Sequence, residues 1–378
     1  MQFSNRTEVL KPWTVCNFGD QISVDIPREF HLENLYIRFE ITAGGTPPVL
    51  TANKEGWRAI CDEIRLDVLS GATQRSPIRT TSSGAIEWWR ANGGALDRQT
   101  LYQIDTSLTT SWTAGDINYL TIPISTVPPA LDDPAASLFL LPLPRFSANP
   151  QLRFNITAGA NIITVPANAT LRYKVLMQRR FVNVDTFPTF ETEQNFLDIA
   201  YAAAGDAQSL EIPLPGTYLG FLGQTYDVTD FRTPVSTYKA KGYTQATGAG
   251  NTGGLAWSQV EKLVELKFLN NVIRRASLDD LQVINDYSQE KFPAATQPNT
   301  GSTSSNAWFM DFLSDKFGST AQDFGSTLDV NPLVGQGARA NLYLSPTLPG
   351  GSKLRLHYVR VFGDTSPLRR SLVAAKKK

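Results

Sequence analysis

Apolar and polar positions begin to alternate near residue 21. Ile22, Val24 and Ile26 alternate with Gln21, Ser23 and Asp25, and Leu35, Ile37, Phe39 and Ile41 alternate with Tyr36, Arg38, Glu40 and Thr42. A period of two puts one set of side chains on each face of a strand, so both segments are predicted to be half-buried strands. The same rule predicts strands around Ile64, Leu66 and Val68, around Leu152, Phe154 and Ile156, and around Leu171, Tyr173, Val175 and Met177. Residues 82–92 break the pattern. A Ser/Gly opening, then Ile86, Trp88, Trp89 and Arg90, then Gly93-Gly94, predict a short helix with a glycine stop. Residues 1–20 show no clear period and are read as an N-terminal arm. Turn clusters recur throughout, so the expected class is all-β with a few short helices.

The pattern restarts in the second half. Gln21 opens a strand ending in Ile26-Pro27, and Gln208 opens one ending in Ile212-Pro213. Ile64 and Leu66 match Val264, Leu266 and Phe268; Ile78-Arg79 matches Ile273-Arg274. Leu171-Arg172-Tyr173-Lys174-Val175 matches Leu354-Arg355-Leu356-His357-Tyr358, each after a shorter strand. Ser277 and Asp280 resemble a capping box before Leu278, Leu281, Ile284 and Tyr287, which predicts a second helix matching the first. Alternating strands resemble one another, so the order carries the weight. Two copies of one sandwich, each about half of the 378 residues, suit an eight-stranded jelly roll better than a compact immunoglobulin-type sandwich. The expected organisation is an arm at 1–20, a first jelly roll at 21–185, a connection at 186–205, a second jelly roll at 206–364 and a basic tail at 365–378.

Composition excludes several functions. Lys plus Arg and Asp plus Glu are 35 each, so the formal net charge is zero and a global polyanion binder is not expected. Charged residues make up only 19%, which leaves neutral surface for contacts between subunits. His31 and His357 are the two histidines, too few for a double cupin's metal clusters or most zinc hydrolases. Both are read as ordinary surface or hydrogen-bonded histidines. Cys16 and Cys61 make no disulfide framework. No secretory signal opens the chain, and the longest mostly apolar stretch, about nine residues broken by Pro142, is too short to span a bilayer.

Gly248, Gly250 and Gly253 match a dinucleotide-binding spacing, but the following segment reads as a strand, whereas that chemistry needs a helix. Asp132-Asp133 reads as a turn, Asp279-Asp280 as a helix first turn, and Glu191 and Glu193 as part of the connection. Trp88 and Trp89 diverge by about 100° on a helix, so they cannot form one flat sugar platform. No catalytic, cofactor or metal residues are assigned. The candidate site is the C-terminus, where Arg369, Arg370, Lys376, Lys377 and Lys378 follow the last acidic residue, Asp364. Such a tail fits contact with an anionic membrane face or a genome, each basic residue near anionic lipid contributing roughly 1 kcal/mol.

These features together resemble the double jelly-roll major capsid proteins of tailless, icosahedral, membrane-containing viruses of the bacteriophage type. The carrying patterns are the arm before Ile22, the strand–loop–aromatic helix of residues 60–94, and Leu120-Thr121-Ile122-Pro123-Ile124 followed by a Pro/Ala-rich stretch. Asn149-Pro150-Gln151-Leu152-Arg153-Phe154 and the long closing strand of each half complete them. The resemblance implies a non-enzymatic shell subunit in the virion capsid, made in host cytoplasm. It implies homotrimers of pseudo-hexagonal outline that tile an icosahedral lattice, with partners such as a penton protein. The internal membrane or genome would lie under the basic tail, and residues 238–257 and 294–306 would be outward loops. A carbohydrate-binding or carbohydrate-active protein on two β-sandwiches is the main alternative, and a surface adhesin a third.

Overall fold

In this computed structural model the described residues are 4–44, 50–51, 56–92, 94, 96, 111–127, 139–163, 165–181, 190–200, 207–211, 216–226, 262–268, 271–277, 307–311, 328–329, 339–344 and 353–363. The chain divides into two compact units, residues 1–188 with 192–195, and residues 189–191 with 196–378.

The first unit contains β1 (Ser4–Cys16), β2 (Gln21–Asp25), β3 (His31–Ala43), β4 (Leu50–Thr51), β5 (Cys61–Ser70) and β6 (Thr73–Thr80). Helix α1 (Ser82–Ala91) follows, then β7 (Ser111–Trp112), β8 (Ile117–Ser125), β9 (Gln151–Ile156) and β10 (Ala169–Phe181). One sheet has the order β1-β10-β3-β8. The opposing strands run β2-β9-β5-β6, all antiparallel. Alternation built these strands as the sequence suggests. Ile37, Phe39, Ile41, Leu171, Tyr173 and Val175 point inward from one sheet, and Val24, Ile64, Leu66, Leu152 and Phe154 from the other. Phe154 meets Phe39 at 6.0 Å and Tyr173 at 5.5 Å, both edge to face, a preferred aromatic geometry.

Helix α1 forms where expected. Thr81 is its N-cap, its Oγ1 accepting from Gly84 N at 3.0 Å. Trp88 is buried and Trp89 half-buried, as their divergence requires. The stop is Asn92, whose amide side chain donates to Trp88 O at 2.8 Å. Gly94 lies against the Trp89 ring, where a Cβ would fall 2.3 Å from Nε1. Glu87 is buried between Arg58, at 3.2 Å, and Arg90, at 3.7 Å.

The second unit contains most of β11 (Phe190–Ala200), then β12 (Ala207–Glu211), β13 (Thr217–Tyr226), β14 (Lys262–Phe268) and β15 (Asn271–Ser277). After these come β16 (Ala307–Asp311), β17 (Leu328–Asp329), β18 (Arg339–Leu344) and β19 (Lys353–Gly363). One sheet has the order β12-β18-β14-β15, and the other β11-β19-β13-β16, with β17 also pairing β13. Eight strands of each unit correspond one to one, with β4, β7 and β17 outside the match. The order β2-β9-β5-β6 becomes β12-β18-β14-β15, and β1-β10-β3-β8 becomes β11-β19-β13-β16. Val24 and Leu210 therefore occupy equivalent strands, while Ile212-Pro213 lies outside the described residues.

Two expectations are corrected. Residues 4–16 are a strand and not an irregular arm, and residues 190–200, expected as connection, are its counterpart β11. The reason is the same in both. In β1 the ladder to β10 shifts register between Val9 and Lys11 and again between Lys11 and Thr14, so apolar residues lose their strict period. Val9 and Val15 consequently point outward, 51% and 67% exposed. In β11 the buried positions are Thr192, Gln194 and Phe196, mostly polar. The second predicted helix cannot be compared: Ser277 ends β15, and residues 278–287 lie outside the described residues, as do residues 132–133, 238–257 and 294–306.

If β1 is integral to its sheet, deleting residues 1–16 uncovers the whole β10 edge. The truncated protein is expected to lose several kcal/mol, seen as a melting midpoint lowered by about 10 °C or more at about 2–4 °C per kcal/mol. An unchanged midpoint by circular dichroism would show that the segment is dispensable.

Candidate assembly surface

The assigned tail residues, Arg369, Arg370, Lys376, Lys377 and Lys378, all lie outside the described residues. The structure instead draws attention to the outer face of the β1-β10-β3-β8 sheet. Registers across the sheet place side chains in rows. Val15 lies opposite Arg172, Arg172 opposite Glu40, and Glu40 opposite Tyr119. The next rows are Lys174, Arg38 and Thr121, then Val9, Leu176, Tyr36 and Pro123.

The first row is built around one ion pair. Arg172 donates from Nε to Glu40 Oε1 at 2.8 Å and from Nη2 to the same oxygen. Its guanidinium stacks on Trp13 at 5.7 Å, and Arg38 stacks on Tyr119 at 4.7 Å. Trp13 and Tyr119 start from opposite edges of the sheet, about 14 Å apart at the spacing of neighbouring strands. Their rings nevertheless approach to 6.1 Å, tilted by 47°, so they arch over Glu40 and leave its side chain 5% exposed. Burial, and then the Glu40 carboxylate, raise the Tyr119 hydroxyl pKa. Further along, Gln178 Oε1 accepts from Asn34 Nδ2 at 2.9 Å and from the Tyr36 hydroxyl at 3.3 Å. Trp89 of α1 sits edge to face with Tyr36 at 6.3 Å.

The second unit repeats the motif with different chemistry. Arg355 lies opposite Gln224 as Arg172 lies opposite Glu40. It stacks on Phe196 at 4.6 Å, as Arg172 does on Trp13. Its acidic partner comes from β11, with Nε to Asp198 Oδ1 at 2.7 Å and Nη2 to Oδ2 at 2.9 Å. His357 takes the place of Lys174 and is fully buried, its Nε2 at 3.0 Å from Gln224 Oε1. Alternation alone had placed His357 on a polar strand face, which is where it sits, but that face is covered. His31 is likewise buried at the start of β3 and is not a surface residue.

No protein-family model matches the chain, and no curated protein sequence does. Solved structures match along nearly its whole length. In Sulfolobus Turreted Icosahedral Virus the matching chain has a TM-score of 0.65 at 13% identity, covering 99% of this chain and 98% of that one. The capsid of PBCV-1 virus gives 0.59 at 12% identity, covering 95% and 94%. The major capsid protein P2 of bacteriophage PM2 gives 0.54 at 12% identity, covering 95% and 98%. The fold is a double jelly roll. The double jelly roll accounts for the repeated strand order, and the resemblance drawn from the sequence over nearly the whole chain pointed to the right architecture. Among the described residues no group of three His, Cys, Asp or Glu side chains could hold a metal ion. Cys16 and Cys61 are buried free thiols, and burial raises both pKa values, that of Cys16 to about 12.

Both imidazoles respond to burial. His31 is lowered to about 4, by burial first and then by Arg145; His357 is lowered well below 6.5, by burial first and then by Arg355. The folded chain thus refuses protons that the unfolded chain takes up below about pH 6.5. Stability is unaffected above that value and falls as pH drops from about 6.5 towards 4. Replacing His31 and His357 with Gln is expected to flatten the pH dependence of urea unfolding free energy between pH 7 and 5. Parallel slopes for the variant and the parent would contradict it.

Proposed function

We propose that this chain is a viral major capsid protein, a structural subunit that assembles into the protein shell of a virion. The observation that supports it is the repetition of one eight-stranded order in two units, β1-β10-β3-β8 with β2-β9-β5-β6 and their counterparts. It is joined to end-to-end structural similarity with viral capsid proteins. Two similar sandwiches in one subunit give three subunits a pseudo-six-fold outline. Homotrimers of this kind tile the facets of an icosahedral shell, with a separate penton protein at the vertices. Covered sandwiches are rigid, and their loops can lengthen without disturbing the core. The carbohydrate reading has less support, because Trp57 and Trp88 are buried and the Trp13 and Tyr119 rings are tilted and stacked by arginines. In this reading the subunit works without catalysis and is made in host cytoplasm.

The trimer is tested by sedimentation equilibrium. The purified protein is expected at three times the 41.6 kDa chain mass at micromolar concentration, with an interface above about 2,000 Å² per trimer contact. A monomer at every concentration would contradict the proposal.

The tail belongs to the same proposal. Arg369, Arg370 and Lys376, Lys377 and Lys378 face the interior and touch a lipid headgroup layer or the packaged genome. Trypsin is expected to cut them in free subunits and spare them in intact particles, and deleting the three lysines is expected to leave folding unchanged. Their contribution to binding anionic vesicles should shrink as salt rises. Equal cleavage in particles and free protein would show a solvated tail.

A further inference from the structure

The duplication sets a histidine in the second unit where the first has a lysine. His357 and Lys174 hold equivalent positions, each two residues beyond the equivalent arginines Arg355 and Arg172. A lysine does not ordinarily change charge around neutral pH, whereas an imidazole does. His357 is 0% exposed. Gln224 Oε1 accepts from its Nε2 at 3.0 Å, so the neutral ring carries its proton there and keeps its lone pair on Nδ1. Nδ1 is buried without a hydrogen-bond partner among the described residues. A proton arriving on Nδ1 would therefore meet no acceptor. It would also place a second cation on the same strand face as Arg355, about 6.6 Å away between Cα atoms.

The neighbouring strand β11 supplies the contacts around this pair. Phe196 lies 5.5 Å from the imidazole, tilted by 49°, and 4.6 Å from the Arg355 guanidinium. Asp198 accepts from the same guanidinium with both oxygens, at 2.7 and 2.9 Å. Arg355 thus cannot move away from a new charge on His357 without leaving Phe196 or Asp198, and both belong to β11.

We propose that His357, with Phe196, Arg355 and Asp198 around it, is an acid-operated latch that holds β11 on β19 at neutral pH and loosens in acid. The latch belongs to the folded chain itself; that its release loosens a shell in an acidic medium rests on the reading of the chain as a shell subunit. The driving force is the cost of a buried charge with no partner. Burial first, and then Arg355, hold the ring well below its usual 6.5. The closed latch therefore refuses a proton that the released imidazole accepts. Closure is fully favoured above about pH 6.5, and its advantage falls about tenfold for each pH unit below that value. Among the described residues, the other titratable groups on this face are Lys353 on β19, Tyr226 opposite it on β13 and, two strands away in the next row, Asp311 on β16. The charge that acts on the imidazole is that of Arg355.

The test is hydrogen exchange of the full-length protein, read by mass spectrometry at pH 7 and pH 5 and corrected for the intrinsic pH dependence of exchange. Opening of residues 190–200 is expected to rise about 25-fold from pH 7 to pH 5, the ratio set by an imidazole that titrates at about 6.5 only when released. His357→Gln keeps a donor for Gln224 and cannot take up a proton, so it is expected to flatten that rise. His31→Gln is expected to leave it unchanged. No rise in the parent, or an equal rise in His357→Gln, would overturn the latch and leave the shell reading, which rests on oligomer mass, standing. A second measurement does not depend on either variant folding. In the parent protein, the ring nitrogen resonances of 15N-labelled histidine are expected to show His357 neutral from pH 7 to pH 5. A His357 ring that titrates near 6.5 in the folded protein would overturn the proposal.

Discussion

The pairing of β10 on both of its sides constrains the rest of the first unit. It runs against β3 from Ala169 opposite Ala43 to Arg180 opposite His31, and against β1 from Cys16 to Ser4. A strand's side chains alternate strictly, so one register sends Leu171, Tyr173, Val175 and Met177 into the core and Arg172, Lys174 and Leu176 out. A slip of one residue would reverse every one of them and bury two cations. The end of the strand is pinned by charge. Arg179 Nη2 lies 2.6 Å from Glu8, and Arg180 Nη2 lies 2.5 Å from Glu33. Removing either carboxylate would take the nearest counter-ion from a buried guanidinium, a costly change. The register therefore has both an apolar and an ionic guard.

β19 has the same role in the second unit, with β13 on one side in matching register. Comparison of the two strands separates what the architecture needs from what the surroundings need. Inward positions remain apolar: Leu171 and Tyr173 correspond to Leu354 and Leu356. The arginine stacked on an aromatic ring also remains. The other outward charged residues do not. Lys174 becomes His357, Glu40 becomes Gln224 and Arg38 becomes Leu222, and each replacement is neutral where the face is buried. Burying a charge costs far more than burying a hydrogen-bonded amide. Burial explains the neutral residues in place of Lys174 and Arg38; Glu40 is buried as well and keeps its charge beside Arg172, whereas Arg355 takes its carboxylate from Asp198.

That logic also explains what the sequence revealed. Half-buried strands with one apolar face, such as β3, β9, β10 and β19, announced themselves through alternation, and residues 82–92 showed their helix through a Ser/Gly opening, an aromatic run and Gly93-Gly94, although the stop proved to be Asn92. β1 and β11 stayed hidden because the first is bulged and faces Val9 and Val15 outward, and the second buries Thr192 and Gln194. β13 lacked alternation for the opposite reason, since Tyr218, Leu219, Phe221 and Leu222 are all buried and both faces are apolar. The arch of Trp13 and Tyr119 over Glu40 was beyond reach from sequence. It joins residues more than a hundred positions apart, from opposite edges of one sheet, and no local period records it.

The chain is thus one sandwich used twice, with apolar interiors held constant and outer faces that differ in cover. The most direct test is the three-dimensional image of the purified oligomer by electron cryomicroscopy. The account predicts a three-fold particle with a six-lobed outline, in which both halves of each subunit superimpose strand for strand. A two-fold or asymmetric particle, or halves whose β2 and β12 occupy different places in their sheets, would contradict it.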